Sequence, residues 1–303
     1  MAASLLHYTQ CPFCNSEAIA PALEAKDYTV SGERFAIWHC KDCTNRFTQD
    51  VPDASAIGAY YQSQDYISHS DTAQGFVNRL YHLVRKRTLH SKRKLVQQLL
   101  KEQAGKVLDI GAGTGAFAHT LHAAGIPVLA LEPDAGARDL ARHKYGLDLL
   151  DTAALVGLGP GEFSVITLWH VLEHVHDLHP YLKKFAEILP AGGYLVIAVP
   201  NYTSYDADKY QACWAAYDVP RHLYHFSPAG IAQMLAEYGF SLEKRLPMWF
   251  DSFYVSMLSE QYSRGQGNIV GAMMTGLISN IYAFTDPAKC SSVIYLFRKE
   301  QVG

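Results

Sequence analysis

The sequence predicts an α/β fold: a doubly wound, mostly parallel sheet with an antiparallel last strand, preceded by a small metal-binding module. Three observations carry that reading. From Gly105 onward, short apolar strands alternate with helical runs, the pattern of parallel βαβ units. A glycine-rich turn, Asp109-Ile-Gly111-Ala-Gly113-Thr-Gly115, follows the first of those strands and opens the first of those helices. Four of the six cysteines fall in two C-x-x-C pairs ahead of residue 44, spaced for a metal and not for a disulfide framework.

With 303 residues, 49% of them hydrophobic, the chain can bury one full core and still carry an appended module. Three regions are expected: a zinc-ribbon module over 1–50, a helical, basic connecting segment over 51–104, and the main domain over 105–303 with a helical insertion at about 260–290. Cys11, Cys14, Cys40 and Cys43 would close a tetrahedral shell around a structural zinc ion, with His39 as an alternative ligand. In the connecting segment, Leu95, Val96, Leu99 and Leu100 recur at helical spacing. Arg85, Lys86, Arg87, Lys92, Arg93 and Lys94 read as its solvated face.

The main domain reads as strands at 106–110, 127–133, 163–171 and 192–200, a weaker one at 147–150, and helices at 116–125, 135–145 and 180–189. A helix capped by Ser227, with Pro228 in its first turn, ends before Gly239. The runs at 251–258 and 292–299 are expected to form the final antiparallel pair. The formal charge of −3 disfavours a general attraction to nucleic acid. No apolar run reaches the roughly 20 residues of a membrane span, and the start lacks a basic leader, so a cytoplasmic protein is expected. The uncharged stretch Asn268–Phe284 reads as a lid or core helix, a homodimer contact, or a surface for a lipid-like acceptor.

In the glycine turn, backbone can approach a ligand closely, and Glu132 at the end of the second strand can accept from both ribose hydroxyls of an adenosine. Two cofactors share this pattern. Gly111, Gly113 and Ala116 also satisfy the pyrophosphate fingerprint of nicotinamide enzymes. Asp109 opposes that reading, because its charge repels a pyrophosphate and suits the cationic S-adenosylmethionine. LDIGAGTGAF, LALEP and LWHVLEHVHD followed by PAGGYLVIAVPN resemble the class I, Rossmann-like methyltransferases close to the ubiquinone-biosynthesis O-methyltransferases, over about 105–245. The resemblance implies that Asp109, Gly111, Gly113, Gly115, Glu132, Pro133 and His170 line the cofactor, with Asp151 and Thr152 at the adenine edge.

Methyl transfer asks the protein to align an acceptor and, where needed, take its proton. His174 beside Glu173 is the first candidate base, with His170 and His176 nearby; the alternative is that Glu173 and His174 hold a loop. Asp218-Val-Pro-Arg221-His222-Leu-Tyr-His225 is the second cluster. There Arg221 can grip an acceptor's phosphate or carboxylate and His222 or His225 can move a proton, or Asp218 and Arg221 form a loop clamp. Tyr60, Tyr61, Asp65, Tyr66 and His69 form a segment suited to close over the cofactor. A four-cysteine module ahead of such a domain is similar to deoxysugar C-methyltransferases and some ribosomal RNA methyltransferases. A small molecule or glycan precursor such as a nucleotide-linked sugar is the expected acceptor; an RNA acceptor and a non-catalytic binding protein are the alternatives.

Overall fold

The computed structural model describes residues 4–61 and 76–301, with side chains of the helix that begins at Phe76 described from Val84 on. The expectations placed on Asp65, Tyr66 and His69 lie outside the described residues. The N-terminal module holds β1 (Leu5–Leu6), β2 (Ile19–Lys26), β3 (Arg34–Cys40), β4 (Arg46–Thr48) and β5 (Val51–Pro52). Strands β2, β3 and β4 form an antiparallel sheet, while β1 pairs with β5. Each cysteine pair sits on a tight turn of the same build. Asn15 N–H donates to the Cys11 carbonyl (2.9 Å) and Thr44 N–H to the Cys40 carbonyl (3.0 Å). Asn15 and Thr44 take the left-handed conformation that brings both thiols of a pair to one side.

Helix α1 (Phe76–Glu102) leads into the main sheet: β6 (Lys106–Ile110), β7 (Val128–Leu131), β8 (Phe163–Trp169), β9 (Tyr194–Pro200), β11 (Phe240–Pro247) and β12 (Ser292–Lys299). A two-residue strand, β10 (Tyr224–His225), precedes the last two. The sheet order is β11-β12-β9-β8-β6-β7, parallel from β9 to β7, with β12 antiparallel to both its neighbours. Helices α2 (Ala116–His122), α3 (Ala135–Tyr145), α4 (Leu178–Ile188), α5 (Tyr205–Tyr210) and α6 (Pro228–Ala236) connect the strands. The parallel strands bury both faces: every residue of β9 is buried, and β8 exposes only Trp169 in part. Such strands read as continuous apolar runs, which is why they stand out in the sequence.

Two expected strands are corrected. Leu147–Leu150 contributes one bridge, Leu131 to Leu150, instead of a strand. Residues 251–258 are not a strand either: they open helix α7 (Asp251–Arg264), and β11 takes their place beside β12. The alternating look of Phe253-Tyr-Val-Ser-Met hides a helical stripe of Ser252, Val255, Ser256 and Ser259, all buried. That stripe packs on α8 (Ile269–Thr285), whose inward face is Ala272, Thr275, Gly276, Ser279 and Ala283. The fit is close at Gly276, where a Cβ would stand 2.5 Å from the Phe253 ring. Small residues face inward and the large ones face out: Ile269, Val270, Met273, Met274, Leu277, Ile281 and Phe284 are all exposed. This overturns the reading of the stretch as a core helix. Among the described residues no helix is long and apolar enough to cross a membrane.

The module and the main sheet share one apolar core. Strand β10 adds to the edge of the module's sheet by pairing with β4, Tyr224 opposite Phe47 and His225 opposite Arg46. Phe13, from the first cysteine turn, packs edge-on against Tyr224 and Phe226 at 5.2 and 5.7 Å between ring centres. Cys11, Cys40, Cys43 and Phe47 belong to the same buried cluster as Ile166, Leu195 and Phe240 of the main sheet.

Candidate functional site

Strand β6 carries the glycine turn out of the sheet. Gly111 has φ +66°, and a Cβ there would stand 2.4 Å from a Val171 methyl, so the turn packs directly on the loop after β8. Gly113 differs: its φ is +53°, and a Cβ would meet nothing within 4 Å, leaving its backbone open to a ligand. Gly115 brings α2 against α3, with its Cβ position 3.0 Å from Ala141. Glu132, just past β7 and 8% exposed, accepts from Gly113 N–H (2.7 Å) and Asp134 N–H (3.0 Å). Each of its oxygens keeps a second lone pair for a hydroxyl.

Asp109 is buried and accepts from the Thr167 hydroxyl at 2.7 Å. Burial pushes its pKa up to about 7, against the pull of Thr167 and Lys92. Pro133 lends only its carbonyl, to Arg138. Arg138 also donates to the Glu132 carbonyl and to Asp151 (2.9 Å), tying the end of β7 to the next loop. Asp151 further caps Ala153 N–H, and Thr152 opens the short 3-10 turn that follows.

On the other side of the turn, His170 has φ +58° and both ring nitrogens engaged: Nδ1 lies 3.3 Å from Glu173 and Nε2 3.0 Å from Asp251. Burial alone would lower its pKa, but the two carboxylates outweigh it and lift it to about 10. His174 behaves oppositely. Burial and the neighbouring His222 bring it down to about 4, so its ring is neutral. Its Nδ1 lies 3.0 Å from the Arg221 carbonyl and 3.0 Å from the Tyr61 hydroxyl. His222, 8% exposed, sets its Nδ1 2.8 Å from the Ala216 carbonyl and packs edge-on against His174. Glu173 is fully buried; its backbone carbonyl accepts from Leu223 N–H, locking the two loops together.

The structure does not bring every expected residue here. Arg221 cannot grip an acceptor: its guanidinium is fully buried and donates to Asp218 (3.0 and 2.7 Å), Asp27 (2.9 Å) and the Tyr60 carbonyl (2.9 Å). The loop-clamp alternative describes it. His225 is also removed from the chemistry. It lies buried in β10, 3.1 Å from the Thr48 hydroxyl and edge-on to Tyr217. His176 contacts the Pro52 carbonyl.

Two residues at this site were missed in the sequence. Lys92 belongs to the basic face of α1, yet its ammonium lies 4.2 Å over the Trp169 ring and interacts with Asp251 and Asp109. Burial lowers its pKa to about 8. Asp251 is hidden when its segment is read as a strand; as the first residue of α7 it reaches His170. The signal was there in the helical spacing: Lys92 stands three, four and seven residues before Leu95, Val96 and Leu99, on the apolar stripe and apart from its solvated neighbours.

A methyltransferase domain family matches residues 83–245. The chain belongs to that methyltransferase family. It is 28% identical over 159 residues to a ubiquinone biosynthesis O-methyltransferase of Thiobacillus denitrificans, covering 48% of this chain and 68% of that one. A Caulobacter sp. protein of the same name is 30% identical over 105 residues, covering 32% of this chain and 42% of that one. Among solved structures, an S-adenosylmethionine-dependent methyltransferase of Thermotoga maritima aligns with a TM-score of 0.48 and 20% identity, over 74% of this chain and 96% of that one. The present chain is a class I methyltransferase using S-adenosylmethionine, and the donor set suits that cofactor: an open glycine turn, a buried carboxylate above it and a second one suited to a cation.

The four cysteines of this methyltransferase form one cluster, with all sulfurs within 4.8 Å of one another. Cys11 and Cys43 sulfurs are 3.6 Å apart and Cys14 and Cys40 sulfurs 3.7 Å apart. Four thiolates about 2.3 Å from a tetrahedral zinc ion would be about 3.8 Å apart, so the cluster fits zinc. His39 is not part of it. A closed shell of four sulfurs leaves no position for a substrate, so a zinc ion there is structural.

Proposed function

We propose that this methyltransferase methylates a hydroxyl oxygen of a small molecule, with the cofactor over the glycine turn and the acceptor over Glu173, His174 and His222. The observation that carries the reading is the contact of Gly111 with Val171: the turn that holds the cofactor packs on the loop that holds Glu173 and His174. S-adenosylmethionine, when bound, supplies an electrophilic methyl on a sulfonium. Glu132 would hold the ribose, and Asp109 would face the ligand's positive charge. His174, neutral at all but acidic pH, offers a lone pair at the acceptor. The relatives' names, O-methylation in ubiquinone biosynthesis, support oxygen as the accepting atom. A nucleotide-linked sugar loses one support, since the arginine that could hold its phosphate is bound to Asp27 and Asp218, and keeps the other, the resemblance of the four-cysteine module to that of deoxysugar C-methyltransferases.

Calorimetry on the purified protein tests the cofactor side. S-adenosylmethionine and its demethylated product are expected to bind, NAD is not, and Glu132→Ala weakens both by at least about tenfold, the effect of losing one or two charge-assisted hydrogen bonds. Tight NAD binding would overturn the assignment. A screen of catechols, phenols and nucleotide sugars then tests the acceptor side, and methylation confined to the sugars would sink the hydroxyl reading.

Asp109 gives this binding a pH signature. A carboxyl with a pKa of about 7 is protonated below that pH, while a cationic ligand favours its ionised form. Affinity for S-adenosylmethionine should therefore hold steady above about pH 7 and fall below it, toward tenfold per unit, as the competent fraction shrinks. Asp109→Asn should flatten the profile. A wild-type affinity independent of pH between about 5.5 and 8 would show that Asp109 does not face the ligand.

A further inference from the structure

We propose that Glu173, His174 and His222 bind a divalent transition-metal ion, zinc or iron(II), separate from the four-cysteine site and open toward the acceptor. One ligand atom from each of the three residues lies within 4.8 Å of the others. Both imidazoles face backbone carbonyls through Nδ1, His174 at Arg221 and His222 at Ala216. A carbonyl only accepts, so each Nδ1 carries a proton and each Nε2 is the nitrogen left to meet an ion. An imidazole whose far nitrogen donates to a carbonyl is the arrangement that orients metal-ligating histidines.

The carboxylate supplies the independent observation. Glu173 has 0% exposure, and its Oε2 has no hydrogen-bond partner among the described residues. A buried ionised oxygen left unpaired is strongly unfavourable, and an ion bound there removes that penalty. Its other oxygen is held by His170, whose charge is shared with Asp251. Asp218, 4.0 Å from His222 Nε2 and tied to Arg221, adds an outer carboxylate. Two imidazoles and one carboxylate form the donor set that borderline metals take in catalytic sites, with a position left open. This is unlike the four-sulfur shell, which is closed.

The ion's role rests on the acceptor-side reading above; its occupancy does not. With the ion bound, the His174 lone pair is taken up as a ligand and no longer serves as the base; a hydroxyl at the open position would be acidified by the ion instead, and its proton would pass to solvent. The ionised oxygen then forms the new bond to the methyl carbon as the carbon–sulfur bond breaks and the sulfonium leaves as a neutral thioether.

The experiment adds cobalt(II) to the full-length protein with its four-cysteine site already filled with zinc, and follows visible absorption together with metal content. One equivalent of cobalt should bind, giving d–d bands without the intense thiolate charge-transfer bands of a cysteine site. Glu173→Gln and His222→Gln, on two different loops, should each weaken uptake by more than about 100-fold, beyond the roughly 10- to 100-fold that loss of an outer partner costs. Zinc content at the cysteines and S-adenosylmethionine binding report that each variant is folded; His174→Gln is the substitute if one is not. No cobalt uptake by the wild type, thiolate bands only, or uptake unchanged in folded variants would overturn the site. Cobalt bound as expected while no hydroxyl acceptor is methylated would leave the site standing and remove the acceptor reading.

Discussion

Arg221→Ala is expected to destabilise the chain by about 3–5 kcal/mol, the usual consequence of removing one partner from a buried ion pair. The guanidinium and the Asp27 carboxyl are both at 0% side-chain exposure, 2.9 Å apart. Without the arginine, Asp27 is left buried and charged, held only by the turn at Thr29–Ser31. Urea denaturation gives the number. Were Arg221 instead a grip on the acceptor, the midpoint would stay put and only KM would rise. The pH dependence sharpens the test. Burial works to raise the Asp27 pKa, but Arg221 and the turn amides outweigh it and hold it at about 2. A depressed carboxyl contributes stability that is complete above its unfolded value of about 4 and is lost as pH falls toward about 2. The gap between wild type and variant should therefore narrow over that window. A gap constant from about pH 6 to about pH 2 would mean that the ion pair is not the cause.

Removing zinc from the cysteine cluster should reach well beyond the module. Structural zinc sites contribute on the order of 10–16 kcal/mol of apparent binding energy to folding, as much as the whole stability of an ordinary domain. Here that energy is coupled to the acceptor side through identifiable contacts. Strand β4 pairs with β10, the Thr48 hydroxyl donates to the His222 carbonyl, and Phe13 packs on Tyr224 and Phe226. Hydrogen exchange after treatment with a strong chelator should show loss of protection in β3, β4 and residues 222–226, while β6 and β8 stay protected. Full protection at 222–226 in protein shown to be free of zinc would refute the coupling. A module read from sequence as an appendage would then be one.

The main sheet was legible in the sequence because its evidence is local. Parallel strands buried on both faces, such as 194–200, are apolar without interruption, and a glycine turn between a strand and a helix has few other meanings. The four cysteines were equally plain, since a C-x-x-C turn brings two thiols together through its own backbone. The thiol cluster and the cofactor turn thus follow from residues adjacent in the chain.

Roles set by partners distant in sequence were not legible. Arg221 and Asp27 are 194 positions apart, and only folding shows that the charge expected to meet a substrate already meets the zinc module. The helical spacing puts Lys92 on the apolar stripe of α1, but that it meets Trp169 there shows only once α1 is laid across the sheet. Asp251 became visible only once residues 251–264 proved helical, because close helix packing uses small residues whose spacing imitates a strand. The sequence alone determined the parallel strands of the sheet, the cofactor class and the four thiols, all of which depend on short-range pattern; the antiparallel edge, where Phe240–Pro247 and not 251–258 pairs with β12, it did not. Which buried charges are neutralised, and which nitrogens of His174 and His222 face backbone carbonyls, was decided by the tertiary structure, because the cost of a buried charge depends on what the rest of the chain places beside it.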